Sequence, residues 1–529
     1  MALYIVIRSE RFKFDIKARY LIACLLLVTT ISALISGNII SSFTGDTGRF
    51  AGVVTLFSLV IVSIFHSQFD FQEFRTLIAA YISTTAIVAL VAISQHFSLI
   101  ELPGVDGVTA TFGNQDFFAA YLGISMPMYY FFSVGATRKV RVLLLAVVLV
   151  SIYSLILSGP LQSYVDIAIT LFGAALFSLR RFIPRRSISL NARTFLGTFG
   201  IIIWAEIIFL TPFLGSWIPV LGNDLQVKIR ANFWLAGIRE FFDHPWLGVG
   251  PDQYGSYYEK YRTLSDAKNY EKILTNDAHS ASVQTLATLG IFGTLTFLLL
   301  LALVIRSLLI QWDSVPGRRP WHFALGLFFF VYLTNSFISP MTVPSKFLFW
   351  GLAGWVIGQS YLNQGRRIGK VRAQTSFILI LIVFIGSNFA SAQWTYSKSF
   401  ERYAENRGQI NSYTFNPYLP CFMYFEGAFN INERQKIGQI EQLAKDQVAS
   451  NPRCVSARIL LAQIYERDGN LVLLKEQLLS LFEVAPTRVQ VLRMGLDYAN
   501  NVGDANLYTK LSNQLAELGY VYAPGKSGG

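Results

Sequence analysis

Arg230 and Trp234 stand four residues apart in the stretch Leu225 to Phe242, a spacing that puts both on one face of a helix. Arg230 follows the expected helix start at Asn223/Asp224 by a turn and a half. Arg239 continues the helix, with Lys228, Lys260, Arg262, Lys268 and Lys272 nearby. A fixed guanidinium suits two-pronged capture of a phosphate or pyrophosphate; the plain alternative is a cation facing water or lipid headgroups. His279 lies in Asn276-Asp277-Ala278-His279-Ser280, directly before a long apolar run. Its imidazole can accept a proton near neutral pH. The alternative is an interfacial or capping residue, with Asp277 and Ser280 as expected caps of the next helix. Arg49 sits in Gly45-Asp46-Thr47-Gly48-Arg49-Phe50-Ala51-Gly52. Asn114 sits in Thr111-Phe112-Gly113-Asn114-Gln115-Asp116, a stretch with no cation. The latter lines a polar vestibule or merely caps the following helix. Asp166 and Glu206 fall inside apolar runs, where carboxylates normally face a cavity or a partner.

Other chemistries lack their signatures. There is no phosphate-binding glycine loop with Lys-Ser/Thr, no His-Glu-x-x-His and no Cys-x-x-Cys, so neither cofactor nor metal is expected. Three cysteines are too few for a disulfide framework; Cys24 reads as packing, while Cys421 and Cys454 fall where oxidation is possible.

The elements that must hold these residues are membrane helices. The 529 residues are 53% hydrophobic and only 14% charged, with a mean hydropathy of +0.43. A soluble chain carries about 25% charged residues. Eleven apolar runs are expected to cross the membrane, near 20–40, 50–66, 74–97, 117–134, 140–157, 164–180, 194–213, 282–306, 321–338, 347–362 and 374–392. The net charge of +12 is distributed by side. Arg8 to Arg19, Arg75, Arg138/Lys139/Arg141, Arg180 to Arg193, Arg306 with Arg318/Arg319, and Arg366 to Arg372 all fall in alternate loops, with few acids among them. Cations mark the cytoplasmic side, which places the N-terminus inside and, after eleven spans, the C-terminus outside. Charge spread in this way is no nucleic-acid footprint.

Two outer segments stand out. The first, 214–281, is far longer than the other loops. It carries the Leu225–Phe242 helix, the breaker cluster His244-Pro245-Trp246-Leu247-Gly248-Val249-Gly250-Pro251, and a tyrosine-rich stretch (Tyr254, Tyr257, Tyr258, Tyr261, Tyr270) expected to lie in the membrane interface. The second is the tail, where Pro452 recurs as Pro486, Gly469 as Gly503 and Tyr465 as Ala499, each 34 residues on. That layout resembles the tetratricopeptide repeat, a stacked helix–turn–helix unit. Two clear units and a degenerate one before Pro452 are expected.

Taken together, these pieces resemble the O-antigen ligase / O-antigen polymerase-like superfamily of bacterial polytopic glycosyltransferases. The matching segments, over roughly 40–310, are Gly48-Arg49-Phe50-Ala51-Gly52, Phe112-Gly113-Asn114, Arg230-x-x-x-Trp234, His244 to Pro251, Ala278-His279-Ser280 and Leu289-Gly290-Ile291-Phe292-Gly293. The resemblance implies an all-α, GT-C-type membrane bundle acting without a metal. Residues 1–395 would form the transmembrane transferase domain and 396–529 an extracytoplasmic tetratricopeptide-like domain. The implied donor is a glycan on undecaprenyl pyrophosphate, passed to an acceptor hydroxyl on a glycan, lipid or protein at the outer face of the cytoplasmic membrane. Arg230 would hold the pyrophosphate and His279 would orient or deprotonate the acceptor; Trp234 and Asn114 fall at matching positions. Many members carry a Ser-Arg-Gly/Ala pattern at the start of the sixth span. Here Leu157-Ser158-Gly159-Pro160-Leu161-Gln162-Ser163 has no arginine, so that phosphate contact is missing or comes from Arg49, Arg239 or Arg262. Two other classes compete: a non-catalytic exporter or flippase of the same lipid-linked glycan, and an inactive scaffold that assembles partners through its repeat tail.

Overall fold

The computed structural model describes residues 16–46, 49–100, 107–133, 135–179, 188–213, 224–362 and 437–522. All regular elements among them are helical. A helix lies at ten of the eleven expected spans: α1 Ile16–Leu34, α3 Val53–His66, α4 Phe71–His96, α5 Gln115–Ser133, α6 Arg138–Ser158, α7 Leu161–Leu179, α8 Leu190–Leu210, α12 Ala281–Ser314, α13 Arg319–Ser336 and α14 Val343–Leu362. The eleventh, 374–392, lies outside the described residues. Six of these helices (α1, α4, α6, α7, α8 and α12) are long and apolar enough to cross a membrane. The chain is therefore a multi-pass membrane-helix bundle with a distinct C-terminal helical region.

The bundle core runs through α5, α13 and α14, where Phe118, Phe328, Trp355 and Val356 are fully or almost fully buried. Phe74 of α4 stacks on Trp355 with ring centroids 3.7 Å apart. Around this core the helices present bare apolar side chains outward. Leu143 and Leu149 of α6, Phe172 of α7, and Phe195 and Leu196 of α8 are all exposed, as a hydrocarbon solvent permits and water does not.

One end of the bundle carries α2 Ile39–Thr44, α9 Leu225–Asp243, α10 Tyr254–Tyr261 and α11 Leu264–Asn269. Asp224 caps α9 by accepting from Val227 N at 3.1 Å. The tyrosines expected in the interface turn inward instead: Tyr254, Tyr257, Tyr258 and Tyr261 are buried with Ile229, Phe233 and Trp234. The reason is polar satisfaction within the segment. Tyr254 OH donates to Phe233 O at 2.7 Å and Tyr258 OH to Asp266 Oδ2 at 2.5 Å, so the rings build a small core under the loop.

The eighth span also departs from expectation. It runs on to Ser314 and is interrupted at Gly290, whose φ of 62° and ψ of −163° are non-helical. In an unbroken helix Ile291 N and Phe292 N would bond to Ala287 O and Thr288 O. Here the breaker cluster supplies replacements. Val249 N and Gly250 N donate to Ala287 O and Thr288 O, both at 3.1 Å, while Ile291 N and Phe292 N donate to Pro245 O and Trp246 O at 2.8 and 3.3 Å. Ser32 Oγ of α1 approaches Leu247 O at 2.7 Å and Thr288 O at 3.0 Å, tying a third segment to the break.

The C-terminal region is five helices: α15 Ile437–Ser450, α16 Val455–Arg467, α17 Leu471–Val484, α18 Val489–Val502 and α19 Ala505–Glu517. The pairs α16–α17 and α18–α19 repeat at the 34-residue period read from the sequence. Asn470 and Asp504 are the equivalent N-caps, and Gly469 and Gly503 the equivalent left-handed turns. Ala267 of α11 shares a buried cluster with Val489, Leu492, Leu496, Leu511 and Leu515, so the tail packs directly on the loop segment.

The crossed backbones leave no room for side chains. A Cβ on Gly248 would lie 2.2 Å from Thr288 C, and one on Gly290 2.4 Å from Trp246 C. Gly248→Ala and Gly290→Ala should each destabilise the fold by about 2 kcal/mol or more, lowering the thermal midpoint of the detergent-purified protein. Gly326→Ala, where a Cβ meets nothing within 4 Å, should leave it unchanged.

Candidate functional site

At the loop end of the bundle, the turn before α12 holds His279. The residue adopts φ +52°, a left-handed conformation that costs a residue other than glycine about 1–3 kcal/mol. Its neighbours hold it there: Asp277 Oδ1 accepts from His279 N at 2.7 Å, and Trp234 Nε1 donates to His279 O at 3.4 Å. Thr275 Oγ1 braces Asp277 on both sides, donating to its carbonyl and accepting from its N–H. The expected capping by Ser280 does not occur; its hydroxyl pairs with that of Ser282 at 3.0 Å. Phe233 packs on the imidazole with centroids 5.4 Å apart, and Nδ1 is buried without a hydrogen-bond partner.

Burial is the main influence on this imidazole. It lowers the pKa to about 4, opposed by Asp277 and reinforced by Arg49 and Arg230. At neutral pH the ring is therefore uncharged and can receive a proton.

The two arginines reach the site from different elements. Arg230 projects from α9, and its Nη2 donates to Asp116 Oδ2 at 3.0 Å, while its buried Nε has no partner. Arg49 comes from the turn after α2. Its Nε donates to Asn276 Oδ1 at 3.0 Å, and its guanidinium lies 5.6 Å from the Phe117 ring. The Arg49 turn is held by Asp252, whose Oδ2 accepts from Asp46 N at 2.6 Å and Ala51 N at 3.0 Å. Burial pushes the Asp252 carboxyl up, opposed by those two N–H groups and by Lys346. Lys346, at the start of α14, is electrostatically coupled to Asp252, Asp277 and Arg49.

Arg49, Asn276 and His279 line a cavity of about 460 Å³, together with Asn38, Asp46 and residues of the tail. This volume falls in the range of small-molecule clefts, about 300–1,000 Å³.

The other residues singled out in the sequence take different places. Trp234 is buried beneath His279 and stacks on Phe209. Asn114 is exposed and spends its side chain on the start of α5, accepting from Asp116 N at 2.8 Å and Phe117 N at 3.3 Å. In this way it positions the carboxylate that meets Arg230. Arg239 is exposed farther along α9 and donates to Tyr261 O at 3.4 Å. Arg262 is turned inward: it pairs with Asp266 at 3.3 Å and donates to the carbonyls of Tyr270 and Glu271. Its donors are spent on folding the loop segment. Where the resemblance leads one to expect an arginine, Gln162 Nε2 contacts Asp116 O. Asp166 accepts from Asn335 Nδ2 at 2.7 Å, within the bundle, whereas Glu206 lies exposed on α8.

Asp252 and Lys346 were missed by sequence reasoning. Asp252 directly follows the breaker cluster, a position that could have flagged it. Lys346 is a single cation at a helix end and carries no such signal.

The family model of O-antigen ligase matches residues 118–298. That stretch contains Arg230, Trp234, Arg239, Arg262 and His279, and excludes Arg49, Asn114 and the whole tail. A comparison with curated proteins finds no match.

The two classes of arginine separate experimentally. Arg262 and Asp266 side chains are 2% and 1% exposed, and removing one partner of a buried pair costs about 3–5 kcal/mol. Arg262→Ala should make the 224–280 segment sensitive to limited proteolysis in membrane preparations. Arg49→Ala should leave its protease resistance at the wild-type level.

Proposed function

We propose that the protein is a glycosyltransferase of the O-antigen ligase type. It transfers a glycan from undecaprenyl pyrophosphate to an acceptor hydroxyl at the outer face of the cytoplasmic membrane. In this reading the N-terminus is cytoplasmic and the cavity end and the tail are extracytoplasmic. The charge distribution between loops supports that orientation. So does the disulfide in which Cys454 takes part, while Cys24 is free; Cys421 lies outside the described residues. The tail is read as a tetratricopeptide-like domain.

The observation that carries the reading is an uncharged, half-buried imidazole at a cavity, with two guanidinium groups close enough to depress its pKa. Transfer needs these two functions. The acceptor O–H attacks the anomeric carbon and gives its proton to His279. The bond from that carbon to the pyrophosphate oxygen breaks, and the carrier leaves with the electron pair. Charge grows on the leaving oxygen, so Arg230 and Arg49 stabilise the transition state more than the ground state. No metal is needed for that charge. The unpartnered Nε of Arg230 is a donor available to a phosphate oxygen.

The same geometry couples donor binding to the base. Besides burial, the main cause, both arginines hold the imidazole pKa down; a bound pyrophosphate offsets their charge and raises it from that low value. His279 is thus a weak base in the empty protein and a better one once the donor is seated.

His279→Ala and Arg230→Ala should lower transfer by about 10²-fold or more while the protein stays at its normal membrane level and lipid-linked glycan accumulates. Unchanged surface glycan in both would sink the assignment. In proteoliposomes, the acidic limb of kcat/KM for the donor should lie near pH 4. The limb of kcat should lie at higher pH, since it reports the donor-bound complex. The depressed pKa also carries a stability consequence. The contribution of a neutral His279 is full above about pH 6.5 and is lost as pH falls through about 4.

A further inference from the structure

The tail does more than pack against the loop segment; it builds one wall of the cavity. Gln447, Asn451, Arg453 and Ser456 face the cavity from the tail, opposite Asn38 and Asn276 of the membrane domain. Three tail atoms there are buried and lack a hydrogen-bond partner: Gln447 Oε1 and the Nε and Nη2 of Arg453. Gln447 itself is only 3% exposed. A buried polar atom left unpaired costs about 1–3 kcal/mol, and here the shortfall sits at the edge of an open space.

The wall is held in place from both sides. Arg488 Nη1 pairs with Glu259 Oε1 at 3.0 Å, and Tyr520 OH donates to Glu271 Oε2 at 2.5 Å. The Arg453 guanidinium lies 3.9 Å over the Tyr257 ring, which fixes its plane and directs its edge.

Direction distinguishes the two substrates. Arg230 does not line the cavity, whereas His279 and Arg49 do. In a direct displacement the leaving group and the nucleophile occupy opposite faces of the anomeric carbon. With pyrophosphate held between Arg230 and Arg49 on the membrane-domain side of His279, the acceptor hydroxyl approaches His279 across the cavity from the tail wall. The wall chemistry fits a saccharide: amides and hydroxyls that both donate and accept, carboxylates that accept and guanidinium groups that donate match rows of sugar hydroxyls, and suit neither an acyl chain nor an apolar peptide.

Building on the transferase reading, we propose that the C-terminal helical domain is part of the site. Gln447 and Arg453 hold the terminal sugars of a glycan acceptor above His279. A transferase lacking this tail would retain the donor side and lose the acceptor wall.

The test places a diazirine-bearing lysine analogue at position 447 of the full-length protein in cells, in a His279→Ala background that lets substrates bind without turnover. A matched protein carries it at position 472, where Val472 is 79% exposed on α17, as a control. Irradiation should yield a carbohydrate-positive adduct at 447 and none at 472. An adduct containing only polypeptide at 447, equal glycan labelling at both positions, or no adduct at 447 would overturn the proposal. In the otherwise unaltered protein, Gln447→Ala should lower transfer about three- to ten-fold, the worth of one hydrogen bond, at normal membrane level. If that variant is poorly folded, Gln447→Met keeps the shape without the acceptor oxygen and should show the same loss. Full activity in the folded Gln447 variant alongside an inactive His279→Ala removes the tail's role and leaves the transferase reading standing. Full activity in His279→Ala removes that reading itself, whatever the crosslink shows.

Discussion

The structure turns on an exchange of backbone hydrogen bonds at Gly290. Breaking a helix strands two carbonyls and two N–H groups, a cost that a membrane-embedded segment cannot pass to water. The Pro245–Gly250 segment provides two N–H groups and two carbonyls at the right spacing, and the four bonds close at 2.8–3.3 Å. The arrangement is possible only because Gly248 and Gly290 both take positive φ and neither carries a Cβ. Through it, the end of α9, the start of α12 and Ser32 of α1 become one rigid unit. His279 stands two residues before the start of α12, and Trp234 of α9 donates to its carbonyl, so both elements joined by the crossing hold the histidine.

Electrostatics builds on that frame. At the cavity end the Arg230 guanidinium pairs with the Asp116 carboxylate, and that of Arg49 donates to the Asn276 amide on a turn held by Asp252. Buried groups of this kind are tolerated because each has a partner and some hydrogen bonds. His279 has no such pairing: its Nδ1 is buried without a partner, as is the Nε of Arg230. Burial and two nearby cations keep the imidazole neutral.

Much of this was legible beforehand, and the physical reasons are specific. The α9 helix was readable from Asp224 to Phe242 because its cap, its apolar spacing and the following breakers all agree. In the tail, α16 and α18, and α17 and α19, begin 34 residues apart, the spacing at which Pro452 and Pro486, and Gly469 and Gly503, stand in the chain. The tyrosine stretch was misread: ring content alone suggests an interface, yet the hydroxyls found partners in Phe233 O and Asp266, which made burial cheaper than exposure. Arg262 misled for a similar reason. In the chain it is one cation among several, and only the fold brings Asp266 and two carbonyls around it.

By itself the sequence determined the helical class, the alternation of apolar runs and basic loops, and the breaker motif. These are local properties: periodicity, caps, charge and φ preference act over a few residues. Only the tertiary structure decided which cations face a cavity and which brace a loop, that Lys346 and Asp252 belong beside Arg49, and that the tail's Gln447 and Arg453 close the space above His279. Those relations join residues up to four hundred positions apart, and no short-range preference records them.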